Sequence, residues 1–374
     1  MSTYLFNFLA VRNGGTINYG RGFISAATRD PLNKFIVLLG ADQSNLAIKA
    51  DNIHYIYLRG MESAFTRFVV EQFIVPCSTM WFRCSAVFNP FDVCQLLKPV
   101  PVLLGMKNPS LLLNARGYYK GLSLKVRIYH KFRDYISYLS SEYADAVIFP
   151  TEYFKDHFLK ISGARIENPH IVYHGCVPLP ANEDINASRH RNSEDEFLII
   201  TVSVLYRYKN IHIIIEALNY LSRTVKCNIK LKIAGKVSDV GYFNELTHQV
   251  NEYGLQNNVE FLNFIDQREL IKLYKNADVF VFASDMETFG FPMVEALCIG
   301  CPLIVNNTQF AREICGDTAL YYDLNDPFCL ALVIEDVILK KSKPIPIEKA
   351  VFRGRMYSFQ REFNETLKCL KAIH

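Results

Sequence analysis

Residues 279–305 read VFVFASDMETFGFPMVEALCIGCPLIV. VFVFAS is continuously apolar, the mark of a strand buried on both faces of a parallel sheet. The loop DMETFGF follows. Pro292 suits the first turn of a helix, where its missing N–H is no loss, and Gly300 suits the residue just past a helix end. The segment therefore reads strand, loop, helix, strand. Glu287 falls on the loop and Glu295 eight positions later in the helix, so they are not neighbours on one helix face. Both can still point at one place, together with the backbone amides of Phe289, Gly290 and Phe291. Val294, Ala296, Leu297 and Ile299 leave Glu295 little polar surface.

The same grammar runs through the chain. YLFNFLA, FIVLLG, IHYIYL, PVLLG, AVIFP and HIVYH read as strands in the first half. EFLIITVSV, IKLKIAG, VEFLN, ADVFVFAS and PLIVN do so in the second, with amphipathic segments such as IHIIIEALNYLSRT between them. The predicted fold is α/β, with two doubly wound parallel-sheet Rossmann-like domains facing a crevice at the carboxyl ends of their strands. A length of 374 residues suits two domains. The expected limits are 1–178 and 197–374, joined by the polar, proline-containing linker 179–196. The last helix, about 358–374, is amphipathic and can pack on the second domain or cross back to the first.

Ten cysteines are scattered and only Cys298 and Cys301 form a CxxC, so they read as core residues in a reducing, cytoplasmic setting. No metal site is expected. No run is long and apolar enough for a membrane span, and the start lacks the charge order of a secretory signal. Residues 1–180 hold 19 Lys+Arg against 12 Asp+Glu, and the remainder 22 against 25. The excess is concentrated at 116–133, where Arg116, Lys120, Lys125, Arg127, Lys131 and Arg133 precede the first acid, Asp134, and alternate with apolar residues. This stretch is either the solvated face of an amphipathic helix or a surface for anionic lipid head groups or an anionic acceptor. No nucleic-acid recognition motif accompanies it.

Two other loops invite chemistry. Gly14 and Gly15 follow the first strand and precede a helix, where anions are favoured, although the same pair would serve a tight turn. Their spacing to Gly20 is not a dinucleotide fingerprint. Arg207 and Lys209 lie between a strand and a helix, where cations can join amides in holding a phosphate or be ordinary surface charges.

ETFGFPMVEAL, in this context, resembles the E-x7-E signature of family 4 retaining glycosyltransferases of the GT-B fold. GGTINYGRG, YADAVIFPTEYFKDHF, VYHGCVP, YRYKNIHIIIEAL and LIKLYKNADVFVFAS are similar, in that order, to further segments of the family, so the likeness covers nearly the whole chain. It implies retaining, hexosyl-type transfer of a sugar from a UDP-, GDP- or ADP-sugar to a glycan or lipid-linked acceptor, without cofactor or divalent metal. Surface polysaccharide synthesis in bacteria, at the inner face of the plasma membrane, is the implied setting. By the resemblance Lys209 contacts the diphosphate, Glu295 the ribose and Glu287 the donor sugar. Phe289 to Phe291 offer amides to sugar or phosphate, and Gly14 and Gly15 lie above the diphosphate. Three positions depart from the pattern: Val204 stands where many members carry arginine, with Arg207 nearby, Ser203 where many have glycine, and Asn108 where many have a histidine near the donor sugar. Asn cannot act as a base but can hydrogen-bond a sugar. Two other readings stay open, a nucleotide-sugar epimerase or hydrolase on the same fold, and a catalytically degenerate partner subunit.

Overall fold

A computed structural model describes residues 1–11, 14–115, 117–118, 123–176, 196–323, 326–341 and 345–374. The chain forms two units, Met1–Val177 with Tyr357–His374, and Pro178–Met356. The expected linker lies outside the described residues except for Glu196, which opens a strand.

The first unit holds seven strands: β1 (Thr3–Asn7), β2 (Lys34–Gly40), β3 (Ile53–Leu58), β4 (Ala86–Asn89), β5 (Val102–Gly105), β6 (Ala146–Phe149) and β7 (Pro169–Ile171). They pair in the order β3-β2-β1-β4-β5-β6-β7, and every pair is parallel. The second unit holds β8 (Glu196–Val202), β9 (Asn228–Ala234), β10 (Val259–Asn263), β11 (Val279–Phe282), β12 (Leu303–Asn306) and β13 (Leu320–Tyr322). Their order is β10-β9-β8-β11-β12-β13, again all parallel. The doubly wound α/β reading is therefore correct for both units. In each, the strand order reverses once, between β1 and β4 and between β8 and β11. The loops leaving such adjacent strands diverge to opposite faces and open a cleft at the carboxyl ends.

Two strands were missed in the sequence. β4 lies in the middle of its sheet, yet is only AVFN, closed by Pro90. β13 is LYY. Runs of three or four residues carry too little periodicity to be told from loop.

The helix Ile211–Thr224 shows how the helices cover the sheets. Its buried residues are Ile211, Ile213, Ile214, Ile215, Ala217, Leu218 and Leu221, a stripe at helical spacing. They join Ile199, Leu231 and Val281 from the strands in the second unit's core. In the first unit the core is aromatic: the Phe6 ring lies 5.0 Å from Phe35, 5.5 Å from Phe23 and 5.9 Å from Phe88.

The last helix, Phe359–Ala372, packs within the first unit, against the helix Gly14–Ala27 and strands β4 and β5. Its buried Phe359, Phe363, Leu367 and Leu370 complete the aromatic core. Gly22 permits the approach, since a Cβ there would lie 2.2 Å from the Phe359 ring. Glu362 of this helix is buried. One of its carboxylate oxygens accepts from the Gly175 N–H at 2.7 Å, and the other lies 3.0 Å from His174 Nδ1 and 3.9 Å from Lys107 Nζ. Lys107 also sits over the face of Tyr19, and burial draws its pKa down to about 7. The buried Glu362 carboxylate is thus hydrogen-bonded to backbone and set beside the His174 ring and the Lys107 amine, the kind of partners a buried polar group needs.

Candidate functional site

At the reversal between β8 and β11, the two diverging loops carry the sequence's candidates. β8 leads into a short turn, Arg207–Lys209, and then the helix Ile211–Thr224. Asn210 between them has positive φ, which Asn tolerates better than most residues. β11 leads through Ala283 and Ser284 to Glu287, Gly290 and the helix Phe291–Ile299. One side-chain and one backbone hydrogen bond lock the two loops together. Asn210 Nδ2 donates to the Ala283 carbonyl at 3.3 Å, and the Asp285 N–H donates to the Tyr208 carbonyl at 3.3 Å. The buried Asn306, at the end of β12, donates to the carbonyls of Ala283 and Ser284.

This scaffold brings Lys209 and Glu287 into a direct ion pair, with both side chains largely shielded from solvent. Lys209 also lies 4.9 Å from the Tyr208 ring centroid, and Tyr208 stacks on Tyr206 at 5.7 Å. Gly290 caps the following helix with φ +86°, a backbone conformation that favours glycine, and a Cβ there would also have to displace the Met293 methyl at 2.4 Å. Phe289 is fully buried, and its ring meets that of Phe291 edge-on at 5.2 Å. Pro292 occupies the first turn and Gly300 the C-terminal cap.

Glu295 lies within that helix, as expected, and is partly accessible. The Tyr274 hydroxyl donates to its carboxylate at 3.2 Å. Burial raises its pKa from 4.5 to about 7, with the Tyr274 bond pulling the other way. A carboxylate this poorly solvated gains from a ligand that donates hydrogen bonds. Arg207 is not part of this cluster: it pairs with Glu245 on the surface and lies over the Tyr242 ring at 5.3 Å. Sequence reasoning missed Asn210, Asn306 and Tyr274. The two asparagines end or follow strands, the one signal that could have marked them; Tyr274 carries none.

Gly14, Gly15 and Asn108 belong to the first unit. The glycines do not precede the helix but form its first turn, Gly14–Ala27. Asn108 follows β5, and its side-chain oxygen accepts from the Ser110 N–H at 3.0 Å. Its own N–H donates to Asp92 Oδ1 at 3.2 Å, an oxygen that also takes the Lys107 N–H at 2.8 Å. Asp92 is buried after β4, the strand missed in the sequence. Of the basic stretch, Arg116 and Lys120 lie outside the described residues, and Lys125, Arg127 and Lys131 are exposed on the helix Leu124–Tyr143. Among the described residues no helix is long and apolar enough to cross a membrane.

Comparisons with known proteins agree with this layout. Residues 182–349, nearly all of the second unit, match the model of the family Glycosyl transferases group 1. An uncharacterised glycosyltransferase of Methanocaldococcus jannaschii is 31% identical over 186 residues, 48% of this chain and 46% of the relative. The O-antigen chain mannosyltransferase B of Escherichia coli is 25% identical over 44% of this chain and 43% of the relative. The matched parts thus span somewhat under half the length of these curated relatives. The crystal structure of Anabaena HepE with UDP-glucose covers 99% of this chain and 100% of its own, with a TM-score of 0.70 at 18% identity. Both units have parallel sheets that reverse once, the chain aligns over nearly its whole length with the Anabaena structure, and the second unit carries the family match: the chain has the two-domain GT-B fold, with a second unit that matches glycosyl transferases group 1.

Proposed function

We propose that the chain is a family 4 retaining glycosyltransferase that moves a sugar from a nucleotide-diphosphate sugar to a glycan or lipid-linked acceptor in bacterial surface polysaccharide synthesis. The observation that carries this reading is the Lys209–Glu287 pair at the β8–β11 reversal, with Glu295 in the helix that follows. Departure of a nucleotide diphosphate builds negative charge on the phosphate and positive charge on the sugar. A fixed cation beside helix amides opposes the first, and a carboxylate at the ring eases the second. Lys209 would turn to the diphosphate and Glu287 to the sugar hydroxyls, each released from the other as the donor enters. Glu295 would accept from the ribose. The complex of the Anabaena structure with UDP-glucose and the naming of the E. coli relative as an O-antigen mannosyltransferase support the donor class and the setting. The amides and Lys209 supply the charge a metal would, so activity is expected to survive a chelator.

The exposed Lys125, Arg127 and Lys131 would hold the first unit at an anionic membrane surface. The deciding experiment compares Glu287→Ala with Lys209→Ala and Glu295→Ala. The first should lose transfer, on the order of a hundredfold or more by analogy with other electrostatic groups, while nucleotide still raises the melting temperature. The other two should weaken the nucleotide-induced shift. Transfer by Glu287→Ala at the wild-type rate would falsify the site. Free sugar or an epimer formed rapidly from donor alone would favour a hydrolase or epimerase, and a chelator-sensitive rate restored by Mg²⁺ would overturn metal independence.

A further inference from the structure

The first unit has its own cleft at its own reversal, between β1 and β4. A cavity of about 520 Å³ opens there, walled by the helices Ala64–Trp81 and Leu124–Tyr143. Its inner end is polar: Asn7 ends β1, Asn89 ends β4, and Asp92, Asn108 and Glu71 lie beside them. Its rim is aromatic, with Phe65 77% and Phe132 62% exposed. A second cavity of about 470 Å³ shares the walls Phe68 and Ile136 and continues past Leu96, Leu139 and Tyr143. The two cavities meet at Phe68 and Ile136, so a ligand lying along these side chains has polar strand ends on one side and apolar helix faces on the other.

The polar end has a spare donor. Asp92 is occupied by the backbone N–H groups of Lys107 and Asn108, and Glu71 is buried close to Arg67 and Asn7. Arg133 Nε is buried and has no hydrogen-bond partner among the described residues, whereas Nη2 of the same guanidinium lies 3.1 Å from His130 Nδ1 and its charge faces Asp92. A buried guanidinium N–H left unpaired costs free energy that an anionic ligand would recover. A free glycan would satisfy this end but leave the apolar run idle, because sugar hydroxyls lose their water there without gaining partners. A hydrocarbon chain fits it, each methylene adding to the binding. The exposed Lys125, one helical turn before the lining Tyr129, adds a positive charge on that side of the helix.

We propose that this groove seats an anionic amphiphile, a hydrocarbon chain carrying a phosphate, with the phosphate at Arg133 and the chain along Phe68 and Ile136. Resting on the reading of the chain as a glycosyltransferase, this amphiphile is the acceptor, its hydroxyl-bearing head held near Asn7, Asn108 and Glu71.

The test titrates the full chain with hexyl, octyl and decyl phosphate below micelle formation, with inorganic phosphate as control. Affinity should rise roughly tenfold for each added pair of methylenes if the chain is fully buried, and inorganic phosphate should bind weakly. Ile136→Trp, which fills the groove where the cavities meet, should abolish the chain-length dependence while the nucleotide-induced thermal shift persists. Arg133→Gln should weaken alkyl phosphates about tenfold or more and leave alkyl glucosides unchanged. If Ile136→Trp fails to fold, Phe68→Ser serves, with a loss of several-fold for decyl phosphate. Affinity flat with chain length, or undiminished in the groove variants, overturns the proposal. Self-association lost in Ile136→Trp, without alkyl phosphate binding, assigns the groove to a second copy and also overturns it. Alkyl phosphate binding without any nucleotide-induced shift would leave the groove standing and sink the glycosyltransferase reading instead.

Discussion

Two helices of this chain use their apolar residues in opposite ways. Ile211–Thr224 turns its isoleucines and leucines inward and completes a core. Leu124–Tyr143 buries Asp134, Ser137, Ser140 and Ser141 and turns Leu124, Ile128, Phe132, Tyr135 and Leu139 to solvent. Both are amphipathic in sequence, and amphipathicity alone does not say which face is inside. Small polar residues let the second helix lie close to its unit. Its large residues are left for something other than the core, since a contiguous exposed apolar face marks an interaction surface.

The largest effect that would break this contrast is on stability. Ile214→Ala should cost about 2–5 kcal/mol, read as a lower urea midpoint, because it opens a cavity in a closed core. An equally large loss from Ile128→Ala would mean that the outer face of Leu124–Tyr143 is packed after all. A pH experiment sharpens the contrast for buried polar groups. Glu295 sits within an apolar helix, where burial of its carboxylate raises the pKa from 4.5 to about 7. In the interval between these values the folded state holds a proton that the unfolded state has released, so stability falls as pH rises through it. Glu295→Gln should therefore stabilise the protein at pH 8 by up to about 3 kcal/mol, and the gain should vanish below pH 4.5. A gain that grew on acidification would reverse the sign and refute the burial of the carboxylate.

Electrostatics come next in size. Neutralising Lys125, Arg127 and Lys131 together should lower binding to anionic vesicles by about 1 kcal/mol per charge near the surface, and added salt should weaken the wild type in the same direction. Arg223→Gln, on the inward-packed helix, should leave vesicle binding unchanged. The smallest effect is Ile128→Ala itself, expected within about 0.5 kcal/mol of wild-type stability because the side chain is exposed. Its place in the argument is as the matched partner of Ile214→Ala.

The fold was legible wherever apolar runs were long enough to count. β8, β9 and the helix Ile211–Thr224 could be read directly, whereas β4 and β13 could not, although β4 sits at the reversal that opens the first unit's groove. The last helix was visible as a helix, with either unit open as its partner, because spacing shows which residues want burial and not against what. Lys209 and Glu287 were visible as candidates. Their pairing depends on β8 lying beside β11, a neighbour relation that no local pattern carries. Glu71 carries no mark in the sequence. Only the packing of Ala64–Trp81 beside the strand ends buries it and raises its pKa to about 7.

The position of the helix Phe359–Ala372 has a consequence for the order of synthesis. Domains commonly close in the order they leave the ribosome, amino-terminal first. Here Phe6, Phe23 and Phe35 await Phe363, which is made some three hundred residues later. The second unit is contiguous, Pro178–Met356, and has all of its own partners sooner. The unit translated first should therefore be the last to finish folding. A nascent chain halted before residue 359 should show a protease-resistant second unit beside a first unit whose aromatic core is still open.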